Sequence, residues 1–429
     1  MDRKDIAIIV LAAILVGPLV LTGYTISQQS PGVGGGGGAG TIPDWVNEQG
    51  GGVEACSYLI YSEGSIYYAK NQQPGANRGK NQFSGTDPDT VIQSALDGLT
   101  TGRTWKEAIC LKGSYTGLST AIQLSSYTIF DARGASFQWA ANVGGSFQAI
   151  VKNGPVGNEA TTNNDMEVWG GLYDGNGANQ VTESDRGALS FRNVYNVLIV
   201  NPTITNYNGL AGIYISPVGG QTNQYQMNVR VLGGKASNIF GDDASEHGSG
   251  IVVSGTGAGV MIDGFEVTNT RKGMEVGDVH QDSIFQNLYI HDLRASDGIE
   301  GISVASGTRL HFIGPIVFEA GTAGISFNPC SDCEIRGGEV RNNGHRLPPN
   351  AGIAINDSLN VTITGVRGYD NQGTKTQNYC IQTAGTSDYA LIIANDCRGN
   401  QNATEDISYV GTNNKVAYNI GRYTSQGSA

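Results

Sequence analysis

Charge is scarce in this chain of 429 residues: Asp, Glu, Lys and Arg make up only 15% of it, and the balance is acidic, with a net charge of −12. No basic tail is present, which argues against nucleic-acid binding, because phosphate neutralisation needs clustered Lys and Arg. Ala, Glu, Lys and Leu do not dominate, so helical bundles and coiled coils are excluded. The 63 glycines lack a collagen period. Glycine is present at roughly twice its ordinary usage, which with 39% hydrophobic residues points to a long all-β chain with many turns.

The one long apolar run is Ile6 to Ile26, 21 residues without a charge. A helix of that length reaches about 31 Å, enough to span a bilayer core. Arg3 and Lys4 precede it and the next basic residue is Lys70, which places the N-terminus inside and the rest outside the cell. A cleaved signal peptide is the rival reading of residues 1–29, although no clear small-x-small cleavage site follows the run. Residues 30–52, with the run PGVGGGGGAG, read as a flexible tether.

Six cysteines in an exported chain suggest disulfides. Proximity in sequence favours Cys56–Cys110, Cys330–Cys333 and Cys380–Cys397. No second CxxC or HxxxH accompanies Cys330-Ser-Asp-Cys333, so zinc is the weaker reading of that pair. Asn356, Asn360 and Asn402 stand in glycosylation acceptor triplets.

Residues 53–86 hold a hairpin signal, two apolar strands flanking Glu63-Gly64-Ser65. In 87–140, Asp87 suits an N-cap and Pro88 a first helical position, with Val91, Ile92, Ala95, Leu96 and Leu99 on one face. Short strands follow. From 141 to 425 the chain repeats itself. Ala188-Leu-Ser-Phe recurs as Gly212-Ile-Tyr-Ile, Gly250-Ile-Val-Val, Gly273-Met-Glu-Val, Gly301-Ile-Ser-Val, Gly324-Ile-Ser-Phe and Gly352-Ile-Ala-Ile. The starts lie 24, 38, 23, 28, 23 and 28 residues apart. A second family, including Val229-Arg-Val-Leu-Gly-Gly and Val361-Thr-Ile-Thr-Gly, runs in phase with the first. Units of several short strands without a helix bury their faces only by stacking, which predicts a parallel β-helix of roughly ten coils, about 50 Å long. A sandwich does not predict in-phase repeats, and a propeller blade needs more residues.

The stretch from Asp87 to Ala135 resembles the N-terminal cap of pectate-lyase-like right-handed β-helices, including the pectate-lyase-3 type and viral tailspikes, in which a helix plugs the open end. With the coils, the resemblance covers about residues 90–420. It implies an all-β, single-stranded right-handed solenoid with a short capping helix. It further implies a protein that binds or cleaves polysaccharide by hydrolysis or elimination, or a non-catalytic adhesin or envelope component, in some cases oligomeric. The motif sets of that superfamily are incomplete here. Asp242-Asp243 and His247-Gly248 crowd into one turn, Arg271-Lys272 lacks the spacer of Arg-x-Lys, and Ala351 stands where Arg-x-Pro-x-x-Arg needs its second arginine.

Strand alternation locates a candidate site. In each Gly-Ile-x-Val unit the Ile and Val point inward, so the outward column reads Ser190, Tyr214, Val252, Glu275, Ser303, Ser326, Ala354. Glu275 is its one carboxylate. Adjoining turns contribute Asp242, Asp243, Glu246 and His247, then Arg271, Lys272, Asp278, His280 and Asp282, then Arg294, Asp297 and Glu300. Close carboxylates drive one pKa up, which suits glycoside cleavage by Glu275 with Asp243 and Glu246. For elimination, His247 or Lys272 would be the base. Arg271, Lys272, His280, Arg294, Glu300 and Tyr214 are the substrate-binding candidates, the arginines for an anionic sugar. Asp242, Asp243 and Glu246 equally suit a structural calcium ion. A solvated outer surface accounts for such a cluster about as well. His291, His311 and His345 read as ordinary surface or turn residues.

Overall fold

The computed structural model describes residues 56–425 apart from 144–148, 155–162, 182–183, 218–224, 242–247, 279, 295, 297 and 347–350. Among the described residues no helix is long and apolar enough to cross a membrane. The run Ile6–Ile26 and the tether lie outside them.

The repeat reads directly as architecture. Each Gly-Ile-x-Val strand pairs in parallel with its counterpart in the next repeat, so Ile213, Ile251, Met274, Ile302, Ile325 and Ile353 form one inward ladder, all fully buried. We call this sheet face 1; it runs through twelve described strands, from Ile122–Leu124 to Tyr423–Ser425. At one strand spacing per coil the rod is about 50 Å long. The second strand family builds face 2, whose inward ladder includes Ile199, Val231, Ile262, Phe285, Phe312, Ile335, Ile363 and Ile392. Face 3 stacks Ile204, Ala236, Val267, Ile290, Val317 and Val340. The three ladders meet in one continuous apolar core.

The corner between faces 2 and 3 turns on one or two positive-φ residues, the first of them at Gly233, Gly264, Asn287, Gly314, Gly337 and Gly365 with φ between 52° and 69°. Gly and Asn adopt that region at least cost, which explains the Gly or Asn that follows most face-2 strands; Ala394 and Tyr418 take the same position in the last coils. The glycine opening each face-1 strand has a different cause. A Cβ on Gly250, Gly273 or Gly301 would collide with Val267, Ile290 or Val317 of face 3 and with the carbonyl of the next glycine in the column. The motif marks where two faces close on each other.

A ten-residue helix, Pro88–Asp97, closes the N-terminal end, with Asp87 as N-cap and Pro88 at its first position. Its apolar side, Val91, Ile92, Ala95 and Leu96, is buried in the core. Asp89 locks it down: one carboxylate oxygen accepts from Ser119 N (2.8 Å), Thr120 N (2.6 Å) and both of their hydroxyls. Burial would raise the pKa of this group, but the bond from Asp87 and these donors bring it down to about 2. Ahead of the helix, Tyr58–Glu63 and Ile66–Asn71 form an antiparallel hairpin, and Tyr58–Glu63 also adds in parallel to the first coil. Cys56–Cys110, Cys330–Cys333 and Cys380–Cys397 are disulfide-bonded, the three pairs expected from sequence proximity.

Candidate functional site

Register places Ser190, Tyr214, Val252, Glu275, Ser303, Ser326 and Ala354 in one outward column on face 1, as the alternation predicts. Four of them are nonetheless buried: Ser190, Val252, Ser326 and Ala354. An outward residue on a sheet loses water only where other chain overhangs it, so face 1 is no open wall. Ala354, for one, packs with Ala323, Ala351 and Tyr379. Glu275 remains half-buried, and its Oε2 accepts a hydrogen bond from Lys272 Nζ at 2.9 Å. A charge-assisted pair in such a recess holds the carboxylate in one place.

At the start of the strand that carries Glu275, hydrogen bonds join several of the candidate residues of adjoining coils. Arg271 N donates to Gly248 O at 2.9 Å, and Ile299 N donates to Arg271 O at 2.8 Å. Gly273 N reaches Glu300 O at 3.3 Å, and Arg294 Nη2 donates to Gly241 O at 3.0 Å. Gly241 and Gly248 bracket the segment that carries Asp242, Asp243, Glu246 and His247. Gly241 is thus bonded to Arg294 and Gly248 to Arg271. The four residues themselves, and Asp297, lie outside the described residues. So does the calcium set Asp242, Asp243 and Glu246; among the described residues no group of three or more metal-ligating side chains is gathered.

Two candidates take other positions. His280 points into the rod, fully buried, with Nε2 2.8 Å from Ser283 Oγ. Burial pushes its imidazole down to about 4, so it is neutral and shut away from any substrate. The left-handed turn at Asp278 (φ 58°) resets the alternation between Glu275 and His280. Tyr214 is half-buried two strands from Glu275, with the Arg186 guanidinium 5.9 Å from its ring centre.

The structure assembles a second ionisable group that spacing alone does not reveal. On face 3 the outward residues Ser237, Thr268, His291, Phe318, Arg341 and Tyr369 fall in one column. His291 lies parallel to Phe318 with ring centres 5.3 Å apart, and the Arg341 guanidinium sits 3.8 Å over the same ring. His291 Nδ1 is 2.7 Å from Asp292 Oδ2 and its Nε2 is 3.3 Å from Glu266 Oε1. Asp292 and Glu319 hydrogen-bond to each other, which raises the pKa of Glu319 and lowers that of Asp292. Burial works to raise Glu266, but bonds from Lys235 and His291 bring it below the usual range. The signal in sequence was the alternation of Tyr289-Ile-His, readable only once the face-3 register is known.

A family model described as "Right handed beta helix region" matches residues 228–397. No curated protein sequence matches the chain. Among solved structures, the A-module of the Azotobacter vinelandii mannuronan C-5 epimerase AlgE4 aligns at a TM-score of 0.50 and 14% identity, covering 77% of this chain and 95% of that one. ORF18 of Geobacillus virus E2 aligns at a TM-score of 0.52 and 13% identity, over 70% of this chain and 58% of that one. At such identities the likeness is one of fold. With three parallel faces, a helical plug and this match, the chain has the right-handed parallel β-helix fold.

Proposed function

We propose that this chain is an extracellular protein, tethered to the membrane by Ile6–Ile26, that binds a polysaccharide along face 1 and cleaves it beside Glu275. One observation carries the reading. Glu275 is the single carboxylate of the outward column and is fixed by Lys272, whose chain neighbour Arg271 bonds to Gly248. In hydrolysis Glu275 would act with Asp243 and Glu246 as the carboxylate set, one protonating the leaving oxygen. In elimination His247 or Lys272 would take the C5 proton, while Arg271 and Arg294 neutralise the sugar carboxylate. If calcium takes part, Asp242, Asp243 and Glu246 would hold it and the ion would add charge neutralisation at that carboxylate.

The test is a screen of the full chain on acidic and neutral polysaccharides, with and without calcium, following reducing ends and the ultraviolet absorbance of unsaturated products together. Both rising means elimination; reducing ends alone mean hydrolysis. The epimerase among the structural neighbours adds a third outcome, C5 proton exchange without cleavage, read by deuterium uptake from solvent. Binding without any of these selects the second reading, a cell-surface glycan-binding protein. The aromatic and cationic column on face 3 favours that reading, since such side chains suit sugar faces and carboxylates.

A further inference from the structure

The corner opposite face 1, where faces 2 and 3 join near the capped end, carries an open groove of about 780 Å³. Four successive coils build it, through Ser114, Arg133–Ser136, Gly170–Leu172 and Asn201–Thr203. None of these residues belongs to face 1, so the groove is separate from the site around Glu275.

Among the described residues Arg133 is the charged side chain that lines it, and the Lys112 side chain lies close against Gly134 of the same wall. Its position is built rather than incidental. Asp131, itself 5% exposed and beneath the surface, accepts from Arg133 Nε at 2.9 Å and from Nη2 at 2.7 Å. The guanidinium lies 4.9 Å from the Trp169 ring, and the Trp169 indole N–H is tied to Glu167 at 2.7 Å. Glu167 is in turn paired with Lys106 at 2.5 Å. Braced by the fork below and the indole beside it, Arg133 loses little entropy on binding. Nη1 makes no hydrogen bond among the described residues, which leaves its donors for a ligand. Opposite stand two hydroxyls, Ser114 and Ser136, 2.7 Å apart, and the exposed apolar side chain of Leu172.

A fixed cation, paired hydroxyls and an apolar patch in one open trough match a carboxylated sugar, which offers a carboxylate, hydroxyls and an apolar ring face together. We propose that this groove is a second carbohydrate site, specific for a short uronic-acid segment, that holds an acidic polysaccharide on the side of the rod away from face 1. The inference extends the glycan reading above but stands on different residues.

The test is calorimetric titration of the full chain with oligogalacturonate and oligomannuronate, and with a cello-oligosaccharide of equal length as the neutral control. Arg133→Gln removes the cation. Because it also strips Asp131 of its partner, Ser136→Gln serves as a second variant that narrows the groove from its rim. Each should weaken uronate binding about tenfold or more, while Tyr389→Ala, at an exposed side chain on a C-terminal coil, leaves this binding intact. Uronate binding whose affinity and stoichiometry are both unchanged in the two groove variants, equal binding of the neutral sugar, or no binding of any oligomer overturns the proposal. Binding lost only in Glu275→Gln also overturns it, and leaves the face-1 reading standing.

Discussion

Asp292 and Glu319 occupy the same left-handed corner of successive coils, at φ 48° and 58°, and their carboxyl groups hydrogen-bond to each other. Corner positions one and two coils earlier hold Asn269 and Asn238, whose carboxamides bond at 2.5 Å. The acidic pair thus stands where the amide ladder would continue.

That substitution makes stability depend on pH in both directions. Asp292, with its pKa lowered, stabilises the fold above its unfolded value near 4 and loses the effect as pH falls. Glu319, with its pKa raised, stabilises below its unfolded value and loses the effect as pH rises through the folded one. Glu319→Gln should remove the alkaline loss, raising the thermal midpoint near pH 7 while leaving it little changed near pH 4. The gain should be at most about 1 kcal/mol, because the pair is partly solvated. Thermal melts across pH 4–8 check this; an unchanged or lower midpoint at pH 7 refutes it.

Asp89 should be the most sensitive polar position in the cap. Asp89→Asn keeps the shape but loses the charge that four donors satisfy, at a cost of about 2–3 kcal/mol. The wild-type contribution should persist above pH 4 and fade as pH falls towards its pKa of about 2. Denaturant unfolding of both proteins at pH 7 and pH 3 measures the difference, which should narrow at the lower pH.

The glycine column gives a steric prediction. Gly301→Ala would push a methyl group into Val317 and the Gly324 carbonyl, and should cost about 1–3 kcal/mol. Gly277→Ala, only four residues after Gly273, meets nothing within 4 Å and should cost far less. Paired melting curves decide whether close approach explains the repeat.

Removing disulfides should rank by the chain they close. Sequence separations of 54, 17 and 3 for Cys56–Cys110, Cys380–Cys397 and Cys330–Cys333 correspond to about 4, 3 and 2 kcal/mol in the loop-entropy account. Double serine variants, melted separately, test the order.

On a polysaccharide that the wild type cleaves, Glu275→Gln should lower kcat about a hundredfold or more. Lys272→Met should also lower kcat, since it releases the carboxylate from its 2.9 Å tether. Activity unchanged in Glu275→Gln would remove that residue from the reaction.

Much of this scaffold is legible in one dimension. Gly-Ile-x-Val shows face 1 because its glycine, two core residues and outward residue each answer a separate physical demand, and the outward column follows from alternation alone. Cysteine proximity identifies the pairs because the coils keep near neighbours in sequence near in space. The site is less legible. His280 follows a left-handed turn that reverses the alternation, and nothing in its spacing marks that turn. His291 reads as an ordinary surface residue until the register sets it between Glu266 and Asp292 and against Phe318. Asp89 looks like one more acid in a first helical turn; the donors that it captures are 30 residues downstream.

The unequal repeat lengths have a consequence for how such a chain can change. Each turn between faces 2 and 3 is made on one or two residues of positive φ among the described coils. In chain order the longer coils gain their residues in the connections that enter or leave a face-1 strand, at 217–224, 241–248, 293–300 and 343–350. One edge of the rod therefore serves as a chassis, and the other accepts interchangeable parts. Selection could refit the borders of Glu275 for a new sugar, one segment at a time, without renegotiating the stack beneath.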